Sequence, residues 1–159
     1  MQYHSLTWVM RICLSVLFVV MAMPVAQAKD TQWHQVIDDV SIYLGVLPIQ
    51  MAINEADELN LPAKVYGKKN RYYVLLAMFD QKTGKRIDNA SVKVRVQALG
   101  GLDFSQKMLK PIHIEKVISF GNYFRMADPD LYHISFWVTP EGTSKTVAGT
   151  FAYRRPPAD

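Results

Sequence analysis

Beyond residue 28 the chain holds three histidines, His34, His113 and His133, and four methionines, Met51, Met78, Met108 and Met126. Imidazole and thioether together suit copper, and a cysteine-free site of that kind fits an oxidising compartment. The spacing is sparse. There is no His-x-Met, no Met-x-x-Met run and no pair of histidines four apart. His34 is the sixth residue of a chain that begins at 29, so the amino-terminal copper motif, which needs histidine third, is absent. Met108 and His113 share one irregular segment and, with Met126, are the metal candidates. The competing reading makes His113 an ordinary strand residue. Met78 lies in an apolar run and is expected to fill core space.

Other chemistry is poorly provided for. No G-x-S-x-G elbow and no H-E-x-x-H pair occurs. Asp38-Asp39 and Glu55/Asp57/Glu58 are acid groups, but glycoside hydrolysis needs two carboxylates held across a cleft. Neighbours on a strand point to opposite faces. These acids are read as solvated loop residues. Gly100-Gly101 ends an apolar run with no helix after it, so no phosphate loop is formed. No catalytic residue is assigned, and the chain is expected not to be an enzyme.

The amino terminus explains the compartment. Residues 1–11 carry one cation, Arg11, and no acid; residues 12–23 are almost wholly apolar. Pro24 breaks the run, and Ala26-Gln27-Ala28 offers the small-x-small site of a signal peptidase, cut after Ala28. A run of about a dozen residues falls short of the roughly 20 that span a bilayer. Residues 1–28 are therefore expected to be a cleaved signal peptide, with no stable membrane insertion afterwards. Cys13 lies inside the apolar run, not at a lipobox. It is the single cysteine, so the remaining 131 residues have none. That excludes disulfides, thiol catalysis and cysteine-based zinc sites. Those residues carry 17 bases against 14 acids, a net +3 spread over the chain. Nucleic acid is not an expected partner of an exported protein with so mild a charge.

The elements that must position these residues read as strands. Residues 29–39 are polar and expected to be a loose lead-in. In 40–54, Val40, Ile42, Leu44 and Val46 alternate; after Pro48 the parity slips to Ile49, Met51 and Ile53. Proline removes a ladder donor, so this is expected to be an edge strand kinked at Pro48. A short helix over 49–58 is the alternative. Residues 72–79 are continuously apolar, as in a strand buried on both faces. In 91–99, Val92, Val94, Val96 and Ala98 oppose Ser91, Lys93, Arg95 and Gln97, the alternation of a half-solvated antiparallel strand. Residues 107–118 suggest a short strand at Ile112 and Ile114. Gly121-Asn122 reads as a turn before a strand at 123–126. Residues 131–139 place Tyr132, Ile134, Phe136 and Val138 on an apolar face, with His133, Ser135 and Trp137 opposite. Residues 146–153 form the last strand, with Val147, Phe151 and Tyr153 on one face, and 155–159 are a tail. About seven short strands with regular turn signals predict a single immunoglobulin-like antiparallel β-sandwich over 40–154.

Tyr132 stands where such folds place a corner tyrosine, so it is assigned a structural role. Two stretches resemble a known family. Asp80-Gln-Lys-Thr-Gly-Lys-Arg-Ile-Asp-Asn-Ala-Ser-Val92 is similar to a hairpin of exported bacterial immunoglobulin-like modules. Gly121-Asn-Tyr123 followed by Tyr132-His-Ile-Ser-Phe136 resembles a strand pair of the same modules. Over 70–154 the chain resembles the YtkA-like and FixH-like domains. That resemblance implies a small exported sandwich, often found near cytochrome-oxidase or copper-handling systems, and fixes no binding residue.

His133 and Trp137 then become the partner-binding candidates, because aromatic residues concentrate at interface anchors. The competing reading packs Trp137 under residues 100–118. The reading is an exported, non-catalytic binding or accessory module acting on an envelope protein, periplasmic or secreted. A copper-handling protein is the alternative, and an envelope enzyme a distant one.

Overall fold

A computed structural model of the chain describes residues 32–52, 68–114, 117–127 and 131–157. The expected leader, with Ala26 and Ala28, lies outside those residues. So does the greater part of the helix considered over 49–58.

Nine strands and one helical turn are described: β1 His34–Ile37, β2 Val40–Pro48, α1 Ile49–Ala52, β3 Arg71–Asp80, β4 Ala90–Ala98, β5 Phe104–Met108, β6 Lys110–Ile114, β7 Val117–Arg125, β8 Leu131–Pro140 and β9 Val147–Arg154. They form two antiparallel sheets, one in the order β1-β2-β3-β7-β6 and one in the order β5-β4-β8-β9. The expected β-sandwich is the fold observed.

Several details differ from expectation, each for a local reason. Residues 34–37 are not loose lead-in but pair with β2, from His34 opposite Tyr43 to Ile37 opposite Val40. The hairpin is closed by Asp38 and Asp39, both at positive φ (49° and 65°). That is the geometry of a two-residue primed turn, which aspartate tolerates. With β1 in place, β2 is an inner strand rather than an edge. Pro48 does not kink it; the strand ends there opposite Tyr72, and Ile49–Ala52 turns helically. The slip in parity marks the end of the strand. Gly121-Asn122 is not a turn either. Both residues lie within β7, opposite Leu75 and Val74 of β3. Gly121 serves close approach: a Cβ there would sit 2.4 Å from Cε1 of Tyr73.

The segment 107–118 divides between sheets. The Leu109 N–H donates to Val92 O at 2.8 Å, and from Lys110 the chain pairs with β7 in the other sheet. Pro111 lies on β6, an edge strand, where its missing donor does no harm.

The core lies between the sheets. Ile42, Leu76, Met78, Val94, Phe124, Ile134, Phe136 and Phe151 are wholly or almost wholly enclosed. Tyr132 is buried on the inner face, opposite Ala98 of β4 and Tyr153 of β9. A second cluster of Ile49, Tyr73 and Ile112 covers the outside of the five-stranded sheet. Burial there pushes the Tyr73 hydroxyl up to about 12. Arg155, the first residue of the expected tail, is buried. Its Nε donates to the Tyr72 hydroxyl at 3.0 Å and its Nη2 to Asn70 Oδ1 at 2.8 Å.

Candidate functional site

The outer face of the four-stranded sheet gathers the most recognition chemistry. Strands β4, β5, β8 and β9 contain no aspartate or glutamate. The middle of this face is built of three cross-strand rows, flanked by Ser91 and Thr139 on one side and Leu131 and Arg154 on the other. Met108, Lys93, Trp137 and Ala148 form one; Gln106, Arg95, Ser135 and Thr150 the next; Phe104, Gln97, His133 and Ala152 the third. Directly opposed side chains on one face of a sheet are close enough to touch.

They do touch. The Arg95 guanidinium lies 4.2 Å from the Phe104 ring centroid and 5.6 Å from that of Trp137. Its Nε and Nη2 both donate to Gln106 Oε1 at 3.1 Å. Lys93 Nζ lies 5.1 Å from the Trp137 ring. Such cation–ring contacts are each worth about 0.5–1 kcal/mol at exposed sites. Trp137 is half-buried beneath these two cations, and His133 is exposed. The two candidates share a face but lie in different rows. Arg95 lies against both Trp137 and Phe104 and so links the tryptophan to the 100–118 segment. Lys107 turns the other way and donates to Tyr123 O at 2.5 Å.

At the end of the β4–β5 hairpin this face becomes apolar. Leu99 is 51% exposed, Leu102 95% and Phe104 54%; Met108, also exposed, lies at the far end of β5. Periodicity placed Lys93 and Arg95 on the solvent side. It could not show that Phe104 stands beside them, because that depends on pairing across the hairpin.

The metal candidates are placed apart. Met108 is exposed on β5, His113 is exposed on β6 opposite Ile118, and Met126 is wholly buried just after β7. Met78 is core, as expected, and Met51 is exposed on α1. His34 stacks on Tyr43 at 4.3 Å, with its Nε2 buried and without a hydrogen-bond partner. Among the described residues no three of His, Cys, Asp and Glu are grouped to hold a metal.

Five acids, Asp38, Asp39, Asp80, Asp88 and Glu141, line a cavity of about 450 Å³, while Asp103 lies exposed in the β4–β5 hairpin. Three of the five are paired with cations: Asp39 with Lys82 at 2.6 Å, Asp38 with Lys145 at 3.4 Å and Asp88 with Arg86 at 3.8 Å. Asp80 Oδ1 accepts from Thr83 N and Thr83 Oγ1, which holds its carboxyl below the usual range and closes the β3–β4 turn.

The fold defines a class, the two-sheet antiparallel sandwich of immunoglobulin-like type. Within it, a DUF4426 family protein from Pseudomonas aeruginosa is similar at 16% identity and a TM-score of 0.65, covering 79% of this chain and 95% of that one. FetP of uropathogenic Escherichia coli, expressed in the periplasm, aligns at 11% identity and a TM-score of 0.60 over 79% of this chain and 94% of that one. Copper-reconstituted P19 from Campylobacter jejuni aligns at 9% identity and a TM-score of 0.57, covering 79% and 95%. At these identities the likeness is one of fold. No family model and no curated protein matches the chain. None of these three structures bears the YtkA or FixH name that the sequence motifs resemble. Among the described residues no helix is long and apolar enough to cross a membrane.

Proposed function

We propose that the chain is an exported, non-catalytic binding or accessory module of the bacterial envelope. It works in the periplasm on a protein partner, through the outer face of β5, β4, β8 and β9. The observation that carries the reading is the Phe104–Arg95–Trp137–Lys93 stack on a face whose strands hold no carboxylate. Tryptophan and arginine held in fixed positions are the residues that most often dominate interface energies. The leader pattern and the periplasmic FetP support the compartment. The YtkA-like and FixH-like motifs support the accessory role.

The test is capture from the envelope with the tagged, exported chain after crosslinking in cells. One envelope protein is expected at near-equal amount, and it is expected to be lost on Trp137→Ala with the fold retained by circular dichroism. Recovery of the same proteins with both forms would sink the reading.

Copper is the second reading, because P19 and FetP structures hold copper. All seven histidines and methionines beyond residue 28 lie among the described residues, and the candidates Met108, His113 and Met126 are divided between an exposed site on β5, an exposed site on β6 of the other sheet and the core. Two, Met78 and Met126, are sealed in the core. The residues therefore do not fit a single-chain copper site. Titration with copper(I) and copper(II) is expected to show no stoichiometric uptake at submicromolar affinity. One equivalent bound, and lost on His113→Ala, would replace the binding-module reading with metal handling.

A further inference from the structure

We infer that the segment bound on this face is acidic and apolar together: an extended stretch of partner protein whose carboxylates lie on Arg95 and Lys93 and whose apolar side chains rest on Phe104 and Leu102. The inference rests on the partner face proposed above and adds the chemistry of its occupant.

Charge is the first argument. Among the described residues the ion pairs join loop residues, and none involves Lys93 or Arg95. These two cations lie on strands without a single acid, and Asp103, in the β4–β5 hairpin, forms no ion pair with either, so both are open to a carboxylate from a partner. Arg95 is the better prepared of the two. A guanidinium has five N–H donors. Two bonds to Gln106 Oε1 and the contacts with Phe104 and Trp137 fix its plane and leave donors over. A cation held in this way loses little freedom on meeting a carboxylate fork.

Shape is the second. Three of the exposed apolar residues of the face, Leu99, Leu102 and Phe104, fall within six positions at the hairpin end of it, and Met108 lies at the other end of β5 beside Lys93. Apolar side chains of the occupant have somewhere to lie beside the charged row.

Backbone is the third, and it selects an extended peptide. The Leu109 N–H bond to Val92 O fixes which pairs of this ladder are hydrogen-bonded. Alternation then turns the N–H and C=O groups of Ser105 and Lys107 toward β4, and those of Phe104 and Gln106 away from it. Strand β5 is an edge of its sheet, so these groups face a place where another strand can add. A lipid surface is less suited. It could take up the bare side chain of Leu102, but it offers no backbone groups to pair with the edge of β5.

The probe is a random copolymer of glutamate and tyrosine, offered to the whole exported chain, with a lysine–tyrosine copolymer and phosphatidylglycerol vesicles beside it. The glutamate–tyrosine copolymer is expected to bind, and the lysine–tyrosine copolymer not to. Binding should weaken about tenfold on Arg95→Gln, a change of the size that marks an anchor residue. It should also weaken severalfold on Leu102→Ser, a loop-tip change that leaves the core untouched, and fall as salt is raised. Absence of copolymer binding overturns the inference, and so does binding to the vesicles in its place. If the envelope partner is captured through Trp137 yet withstands salt and the Arg95→Gln, Lys93→Gln pair, the acidic occupant is refuted and the partner face stands.

Discussion

Gly121→Ala is expected to destabilise the fold by about 3 kcal/mol, at the upper end of ordinary overpacking. In a domain of this size that lowers the melting temperature by about 10 °C. The added Cβ would meet the Tyr73 ring at 2.4 Å from Cε1 and 2.9 Å from Cζ and the hydroxyl oxygen. The ring has no easy retreat, because it is packed with Ile49 and Ile112 on the outside of the sheet. The backbone of β7 cannot retreat either, being paired with β3 on one side and β6 on the other. A double-mutant cycle with Tyr73→Ala makes the cause specific. The pair should lose less than the sum of the single changes, by about 2 kcal/mol, because the second change removes the clash made by the first. A neutral Gly121→Ala, or an additive pair, would mean that the ring does not lie over this glycine.

Arg155→Ala is expected to cost about 2 kcal/mol, read from the urea midpoint. Position 155 follows the last strand, where substitutions are ordinarily silent. Here the side chain crosses back to β3, bonds the Tyr72 hydroxyl and Asn70 Oδ1, and lies 5.6 Å from the Tyr72 ring centroid. Its removal leaves the two acceptors without that donor and opens space beside the Tyr72, Tyr153 and Trp33 rings. Arg155→Lys should not restore the loss. An ammonium on a flexible stem cannot reach both acceptors with the fixed fork of a guanidinium. An unchanged midpoint in Arg155→Ala would show that the contact contributes nothing.

Much of the sandwich was legible because half-solvated strands write burial into parity. The faces read for 91–99, 131–139 and 146–153 are those found: Val92, Val94, Val96, Ile134, Phe136, Val138 and Phe151 are buried. Strand β1 left no such record. His34, Gln35, Val36 and Ile37 are all half-buried, so no alternation appears, and its turn is Asp38-Asp39 rather than the familiar Asn-Gly. Gly121 was misread because a glycine that admits a ring and one that permits a bend look alike in a sequence. The face shared by His133 and Trp137 followed from parity. The stack that gives it character needed Phe104 set beside Arg95, and only strand pairing supplies that. Met108, His113 and Met126 are near in the chain, but the crossover at Leu109 puts Met108 in one sheet and His113 in the other, and Met126 is buried in the core just past β7.

The seating of β1 bears on how the molecule closes. Gln35 donates to Thr150 O at 2.9 Å, Trp33 meets the Tyr153 ring edge-on at 5.8 Å, and Gly149 leaves room for Ile37 and Gln35. Strand β1 finds its ladder partner β2 at once, whereas its contacts with β9 wait for almost the whole of the described chain. Contacts of such long sequence separation form late, since the intervening loop must first be closed. Until β9 is in place the hydrophobic interior stays open along that side, with Phe136 lacking its partner Phe151; docking of β9 is the event that seals the sandwich.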